Sequence, residues 1–303
     1  MRSGYHADKR VQFDFEVEFA NGGGLQGQGF RLDIDGEDIA DQELADYVVR
    51  DLRLLMVSRV RILNKQIITE RHKRSAPEDE EHTRQRLIDL SHTVEDGMVT
   101  YRGLPAPIVC DYLSRDQSRA QYAEGTEFHI GKIEMVANTG TYLDSPFHRF
   151  ADGADLAALD LARLANLDGV VARVTGMTGR AISRSIFAAL DVRGRAVLVH
   201  TGWDRHWRTE RYFEEHPYLT ADAAGYLRDA GAALVGIDSL NIDDTQDGSR
   251  PVHTTLLGAG IPVVEHLRGL EQLPITGFRF SAVPVKVKGM GTFPVRAYAA
   301  LEE

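Results

Sequence analysis

The segment Asn138-Thr139-Gly140-Thr141-Tyr142-Leu143-Asp144-Ser145-Pro146-Phe147-His148 concentrates an amide, a phenol, a carboxylate and an imidazole in one short run. Asn138, Tyr142 and Asp144 are spaced by even steps, so an extended backbone sends their side chains from one face toward a single ligand or ion. Pro146 breaks any regular ladder, and His148 follows two residues later. Spacing alone also allows a solvent-edge strand that ends in a proline turn and does nothing more than meet water.

The segment resembles the signature of the cyclase family, the group that includes bacterial kynurenine formamidase and isatin hydrolase, which runs His-x-Gly-Thr-His-x-Asp-x-Pro-x-His. Gly140, Thr141, Asp144, Pro146 and His148 match it, whereas Asn138 and Tyr142 stand where the family has two metal-binding histidines. The stretch from His253 to Glu265 resembles the family's later His-x11-Glu pair, which completes the metal site. Further likeness runs from Ile88-Asp89-Leu90-Ser91-His92, through Thr201-Gly202-Trp203 and Gly236-Ile237-Asp238, to Phe293-Pro294-Val295-Arg296. Several blocks in the right order are specific where any one would be weak.

The resemblance implies an α/β core of swivelling β/β/α architecture and hydrolysis of a small amide, formamide or lactone. In that reading His148 is the catalytic proton carrier, with Tyr142 and Asp144 beside it. Asp144, His253 and Glu265 form the metal face, one imidazole and two carboxylates suited to zinc or manganese, to which Asn138 adds a carbonyl oxygen. Two imidazoles fewer than the family pattern lowers the expected affinity by on the order of 10³-fold or more. Weak or absent metal is therefore expected. The alternative is metal-free chemistry of a cyclase or lyase type, with a carboxylate, His148 or His253 as base and Tyr142 donating to an oxyanion. A catalytically dead scaffold is the third reading.

Other residues enter as pocket candidates. The loop His200-Thr201-Gly202-Trp203-Asp204-Arg205-His206-Trp207 makes Trp203 and Trp207 candidates for lining a planar substrate, although four-residue spacing also suits packing on a helix start. Asp238, and beyond it Ser239, Asp243 and Asp244, follow an apolar run, where α/β proteins keep binding loops. Arg296 has the fork to hold a substrate carboxylate, or a structural acid. Gly289-Met290-Gly291-Thr292 lacks the lysine of a phosphate cradle and is set aside as a nucleotide site.

The chain has 303 residues, 43% hydrophobic and 26% charged, as in globular proteins. With 35 basic and 45 acidic side chains the formal charge is −10, which offers nothing to nucleic acid or an anionic membrane. A small-molecule substrate is the expected partner. No run approaches the roughly 20 apolar residues that span a bilayer. Cys110 is the single cysteine, which fits a cytoplasmic setting, and beside Ile108 and Val109 it reads as a core residue. Since family relatives commonly assemble, a homo-oligomer is expected.

Three divisions follow. In residues 1–70, alternation in Val11–Phe19 and again through Phe30, Leu32 and Ile34, separated by Asn21-Gly22-Gly23-Gly24, predicts a hairpin. Helical spacing of Leu44, Tyr47, Val48, Leu52 and Leu55, and a strand through Val60, Ile62 and Ile67, complete a small ββαβ unit. Residues 71–86 are charged, contain Pro77 and read as a linker. From residue 87 to 303, strand-like runs at 169–174, 196–199, 233–237 and 261–264 alternate with helical patterns at 156–165 and 221–230, predicting the α/β domain.

Overall fold

The computed structural model describes residues 9–34, 36–69 and 85–302. The expected linker, apart from Gln85 and Arg86, lies outside them. The chain divides into two compact units, Met1–His82 and Thr83–Glu303.

In the first unit, β1 (Lys9–Phe19), β2 (Gly24–Ile34), α1 (Asp41–Asp51) and β3 (Val57–Thr69) follow the predicted order. The sheet order is β2-β1-β3, all antiparallel. Val11, Phe13, Phe15 and Val17 alternate inward from the central strand and pack on Leu44 and Val48 of α1. The period of two in β1 and the helical period in α1 thus meet in one core.

The second unit contains β4 (Gln85–Asp89), β5 (Ile108–Leu113), α2 (Arg115–Arg119), β6 (Ile130–Glu134), β7 (Tyr142–Asp144), β8 (Leu167–Arg173), β9 (Ala181–Ile182), β10 (Ala196–His200), β11 (Tyr218–Leu219), α3 (Ala221–Ala230), β12 (Leu234–Ile237), α4 (Pro251–Gly258), β13 (Val263–Glu265), β14 (Phe278–Ser281), β15 (Thr292–Pro294) and β16 (Tyr298–Glu302). Its main sheet has nine strands in the order β15-β7-β13-β12-β10-β8-β14-β16-β4. The four central strands, β13-β12-β10-β8, are parallel, and antiparallel strands flank them on both sides. Both faces are apolar, which is what a parallel centre requires. Val170, Val197, Val235 and Val263 face one core with Leu227 of α3 and Leu256 of α4, while Val171, Leu198 and Val264 face a second core with Leu143 and Phe280.

Three local expectations are corrected. Residues 156–165 form turns and a short 3-10 helix, Leu161–Arg163, rather than an α-helix. There the Asp155 carboxylate caps the Ala157 and Ala158 amides, but the Asp160 carboxylate takes the Ala162 amide, a donor that a continued helix would give to the Ala158 carbonyl. Asn138 precedes the strand that carries Tyr142 and Asp144 instead of lying on it. Cys110 is exposed, on a ribbon in which, among the described residues, β5 pairs with β6 alone. Ile108, Val109, Ile130 and Ile133 on the same ribbon are 47–53% exposed.

Candidate active site

Register builds the site. In the antiparallel pair β7–β13, Tyr142 lies opposite Glu265, and in β7–β15, Asp144 lies opposite Thr292. Side chains opposite one another on neighbouring strands meet. Tyr142 Oη accordingly donates to Glu265 Oε2 at 2.6 Å, and Thr292 Oγ1 donates to Asp144 Oδ1. Thr292 has one hydroxyl proton, already given to Asp144. The 2.8 Å contact between Thr292 Oγ1 and His148 Nδ1 is therefore donated by the imidazole. This fixes the His148 tautomer with its proton on Nδ1 and leaves Nε2 as a basic lone pair.

His148 is presented by the short 3-10 turn Pro146–His148, started by the proline that ended the strand. Its side chain is 36% exposed, while Asp144 is fully buried. Gly140 adopts φ 65°, a left-handed conformation that glycine takes without strain, and its amide donates to Thr100 Oγ1 at 2.9 Å.

The opposite wall comes from α4. Asp243 is buried and accepts the Val252 amide at 2.7 Å and the His253 amide at 3.0 Å, satisfying donors that the helix start would otherwise orphan. The same carboxylate accepts His253 Nδ1–H at 2.6 Å. His253 Nε2 is thereby turned inward, 3.6 Å from both Asp144 Oδ2 and Glu265 Oε1. Glu265 is fully engaged, since Oε1 also accepts the Ile242 amide at 2.7 Å and Oε2 the Asn241 side chain at 3.2 Å.

Burial penalises the His253 imidazolium, but the carboxylates of Asp144, Asp243 and Glu265 outweigh it and push the group up to about 10. Burial pushes Glu265 up to about 7, with His253 opposing and Asp144 reinforcing the shift. Burial and the charges of Glu265 and Asp144 hold Tyr142 well above the ordinary phenol range, so it stays a donor.

These residues fit a divalent cation. Asp144 Oδ2 is buried and has no hydrogen-bond partner. One ligand atom each from Asp144, His148 and His253 lie within 4.8 Å of one another. Asp243 on the far nitrogen of His253 is the outer carboxylate that orients metal-binding imidazoles. The distances from His253 Nε2 approach the edge of a coordination shell with bonds of about 2.0–2.2 Å.

Above the cluster opens a cavity of about 290 Å³ lined by Tyr101, Asn138, Tyr142, His148, Arg250 and Glu265, among others. Of the sequence candidates, Asn138, Tyr142, Asp144, His148, His253 and Glu265 come together here. Asp243 joins them behind His253, whereas Trp203, Trp207, Asp238 and Arg296 do not. Trp203 is buried against Tyr212 and Leu240, with Nε1 donating to the Tyr212 carbonyl at 3.1 Å, so it is a packing residue. Trp207 stacks on His92 at 3.9 Å beside a separate cavity. Arg296 is exposed and pairs with Asp89 at 2.7 Å.

Asp238 is buried and accepts the Thr201 amide, the Thr201 hydroxyl and the Gly202 amide at 2.6–2.8 Å, so it fastens the Thr-Gly-Trp loop instead of touching substrate. Burial pushes its carboxyl up to about 7 against these bonds. Replacing Asp238 with alanine orphans those donors and is expected to cost on the order of 2–3 kcal/mol. Urea denaturation checks this, with a lower midpoint at unchanged m.

Sequence reasoning missed Tyr101, Arg250 and Thr292. Tyr101 Oη is buried with no partner. Tyr101 and Arg250 lie on loops that carry no periodic signal. Thr292 sat inside the glycine-rich run that had been set aside as a phosphate cradle.

Residues 88–244 match the Cyclase family model. Kynurenine formamidase of Geobacillus thermodenitrificans is 30% identical over 213 residues, which cover 69% of this chain and 95% of the relative. Among solved structures, isatin hydrolase A from Labrenzia aggregata superposes with a TM-score of 0.61 at 22% identity over 72% of this chain and 94% of its own. A potential metal-dependent hydrolase with cyclase activity gives 0.56 at 26% identity over 72% and 99%. The chain belongs to the cyclase family.

Proposed function

We propose that the chain hydrolyses a small amide, formamide or lactone, with His148 moving the proton. The observation that carries this is the hydrogen-bond chain from His148 Nδ1–H through Thr292 Oγ1 to Asp144 Oδ1. It holds the imidazole with a free basic nitrogen at the cavity wall and backs it with a buried carboxylate. His148 Nε2 takes the proton of the attacking water and returns it to the leaving nitrogen or oxygen. Asp144, through Thr292, stabilises the imidazolium formed between those events. The carbonyl oxygen gains negative charge as the carbon becomes tetrahedral, and Tyr101 Oη and the Asn138 amide are the cavity donors free to meet it.

A divalent cation held by Asp144 and His253, with Glu265 as third ligand, would supply carbonyl polarisation and a more acidic water while leaving His148 free as the base. The Glu265 carboxyl group is held in place by Tyr142, Asn241 and the Ile242 amide. The relatives' names support the reaction class: kynurenine formamidase among curated proteins and isatin hydrolase among structures.

The same reading takes the chain as a cytoplasmic homo-oligomer. The single cysteine supports the first, and the exposed apolar β5–β6 ribbon supports the second. Among the described residues no helix is long and apolar enough to cross a membrane.

The purified protein, with added zinc or manganese, should turn over at least one of formanilide, dihydrocoumarin and phthalimide. No turnover of any of the three contradicts the reading. Phenylalanine at Tyr101 is expected to lower kcat at least tenfold with KM within a few-fold, since one oxyanion donor is lost while the ring remains. Steady-state kinetics decide it, and an unchanged kcat removes Tyr101 from the reaction.

A further inference from the structure

We propose that the substrate carries a carboxylate near its scissile bond and that Arg250 binds it. The proposal rests on the hydrolase reading for the bond that is cut, and on independent observations for the anion.

Arg250 lines the cavity, half-buried, and Nη1 donates only to neutral oxygens, Asn241 Oδ1 and the Asp244 carbonyl, each at 3.3 Å. The acids nearest in sequence are committed elsewhere. The Asp244 carboxylate pairs with Arg180 at 3.5 Å, and the Asp247 carboxylate accepts the Ser249 amide and hydroxyl at 2.9 and 2.7 Å. Among the described residues no carboxylate lies within ion-pair distance of Arg250. A second cavity residue, Arg149, is exposed and also has no acid partner among the described residues, since Nε donates to Thr254 Oγ1 at 3.2 Å and its guanidinium sits 5.5 Å from the Phe150 ring.

Arg250 and Arg149 thus bring two guanidiniums, neither within ion-pair distance of an acid among the described residues, to the cavity that also contains Glu265. Backbone strain adds to this: Arg250 has φ 50° immediately before Pro251, a left-handed conformation that costs a non-glycine residue free energy. Pro251 fixes the first helical position behind it, so the strained residue is held where its side chain reaches the cavity.

A guanidinium with spare donors matches a carboxylate in a two-pronged bond, more selectively than an ammonium would. The cavity volume of about 290 Å³ is at the lower end of ligand sites and suits one ring with small substituents. Tyr101 and Leu104 give that ring apolar walls. The inferred substrate class is thus an N-acyl or N-formyl aromatic amine with an acid group on or next to the ring.

Binding separates this inference from turnover. Isothermal titration of the full-length protein with benzoate and with benzamide, its neutral isostere, should show benzoate at least tenfold tighter, and the preference should vanish in Arg250→Gln. Arg250→Lys, which keeps the charge but not the fork, should keep part of it, and unchanged melting temperatures establish that the variants fold. Equal affinity for the two ligands in the wild type overturns the proposal. A benzoate preference that survives in Arg250→Gln also overturns it, by placing the anion elsewhere. If the wild type hydrolyses formanilide but does not prefer benzoate, the hydrolase reading stands and only the anion site fails; preference without any hydrolysis does the reverse.

Discussion

Replacing His148 with alanine is expected to lower kcat by about 10²–10⁴-fold, the range for a positioned general acid–base group, while KM moves by a few-fold at most. The imidazole is part-exposed on a surface turn, so its loss opens no hole in either core and the melting temperature should barely shift. Valine at Thr292 is the companion variant. It keeps the size of threonine but removes the hydroxyl that ties His148 Nδ1 to Asp144, so the tautomer is no longer fixed and an intermediate loss in kcat is expected. Steady-state rates on any accepted amide check both variants. Turnover of the His148 variant within a few-fold of wild type would remove this residue from the reaction.

Alanine at Gly291 is expected to damage stability and catalysis together. A Cβ at this position would lie 2.4 Å from the His148 amide nitrogen, 2.5 Å from His148 Cα and 2.9 Å from the Phe147 carbonyl carbon. All three are backbone atoms, and backbone cannot swing aside as a long side chain can. Either β15 or the Pro146–His148 turn must move. The cost expected for such overpacking is about 3 kcal/mol, read as a lower midpoint in thermal or urea denaturation. A displacement of about 1 Å at the catalytic imidazole should lower kcat by a further 10²-fold under conditions where the variant is still folded. A variant of wild-type stability and rate would show that Gly291 does not brace His148.

The features legible in the sequence were those set by strand alternation and the cyclase motif. Tyr142 and Asp144 do share a strand face, His148 does follow on a proline-started turn, and His253 and Glu265 do come to them. Alternation assigns a face but says nothing about which strand lies next to it. The Tyr142–Glu265 and Asp144–Thr292 pairs are products of register between segments more than a hundred residues apart, so Thr292 was invisible until β15 was placed. The four misplaced candidates share a physical cause: Trp203, Trp207, Asp238 and Arg296 belong to motif-like stretches that hold loops or meet solvent, and chemistry-bearing side chains serve structure as readily as catalysis. Asp238 shows this best, since a buried carboxylate facing three donors is a loop fastener. The helix expected over 156–165 failed for a local reason, the Asp160 side chain taking the Ala162 amide that a continued helix needs. Tyr101 and Arg250 reach the cavity from irregular backbone, where no periodicity exists to read.

The central claim, that this cavity hydrolyses a small amide through the His148–Thr292–Asp144 chain, is tested most directly by following N-formylanthranilate with the wild-type protein and quantifying formate and anthranilate together. The account predicts equimolar release of both over many turnovers. Intact N-formylanthranilate and intact formanilide after prolonged incubation, with zinc or manganese supplied and the protein folded, would contradict it.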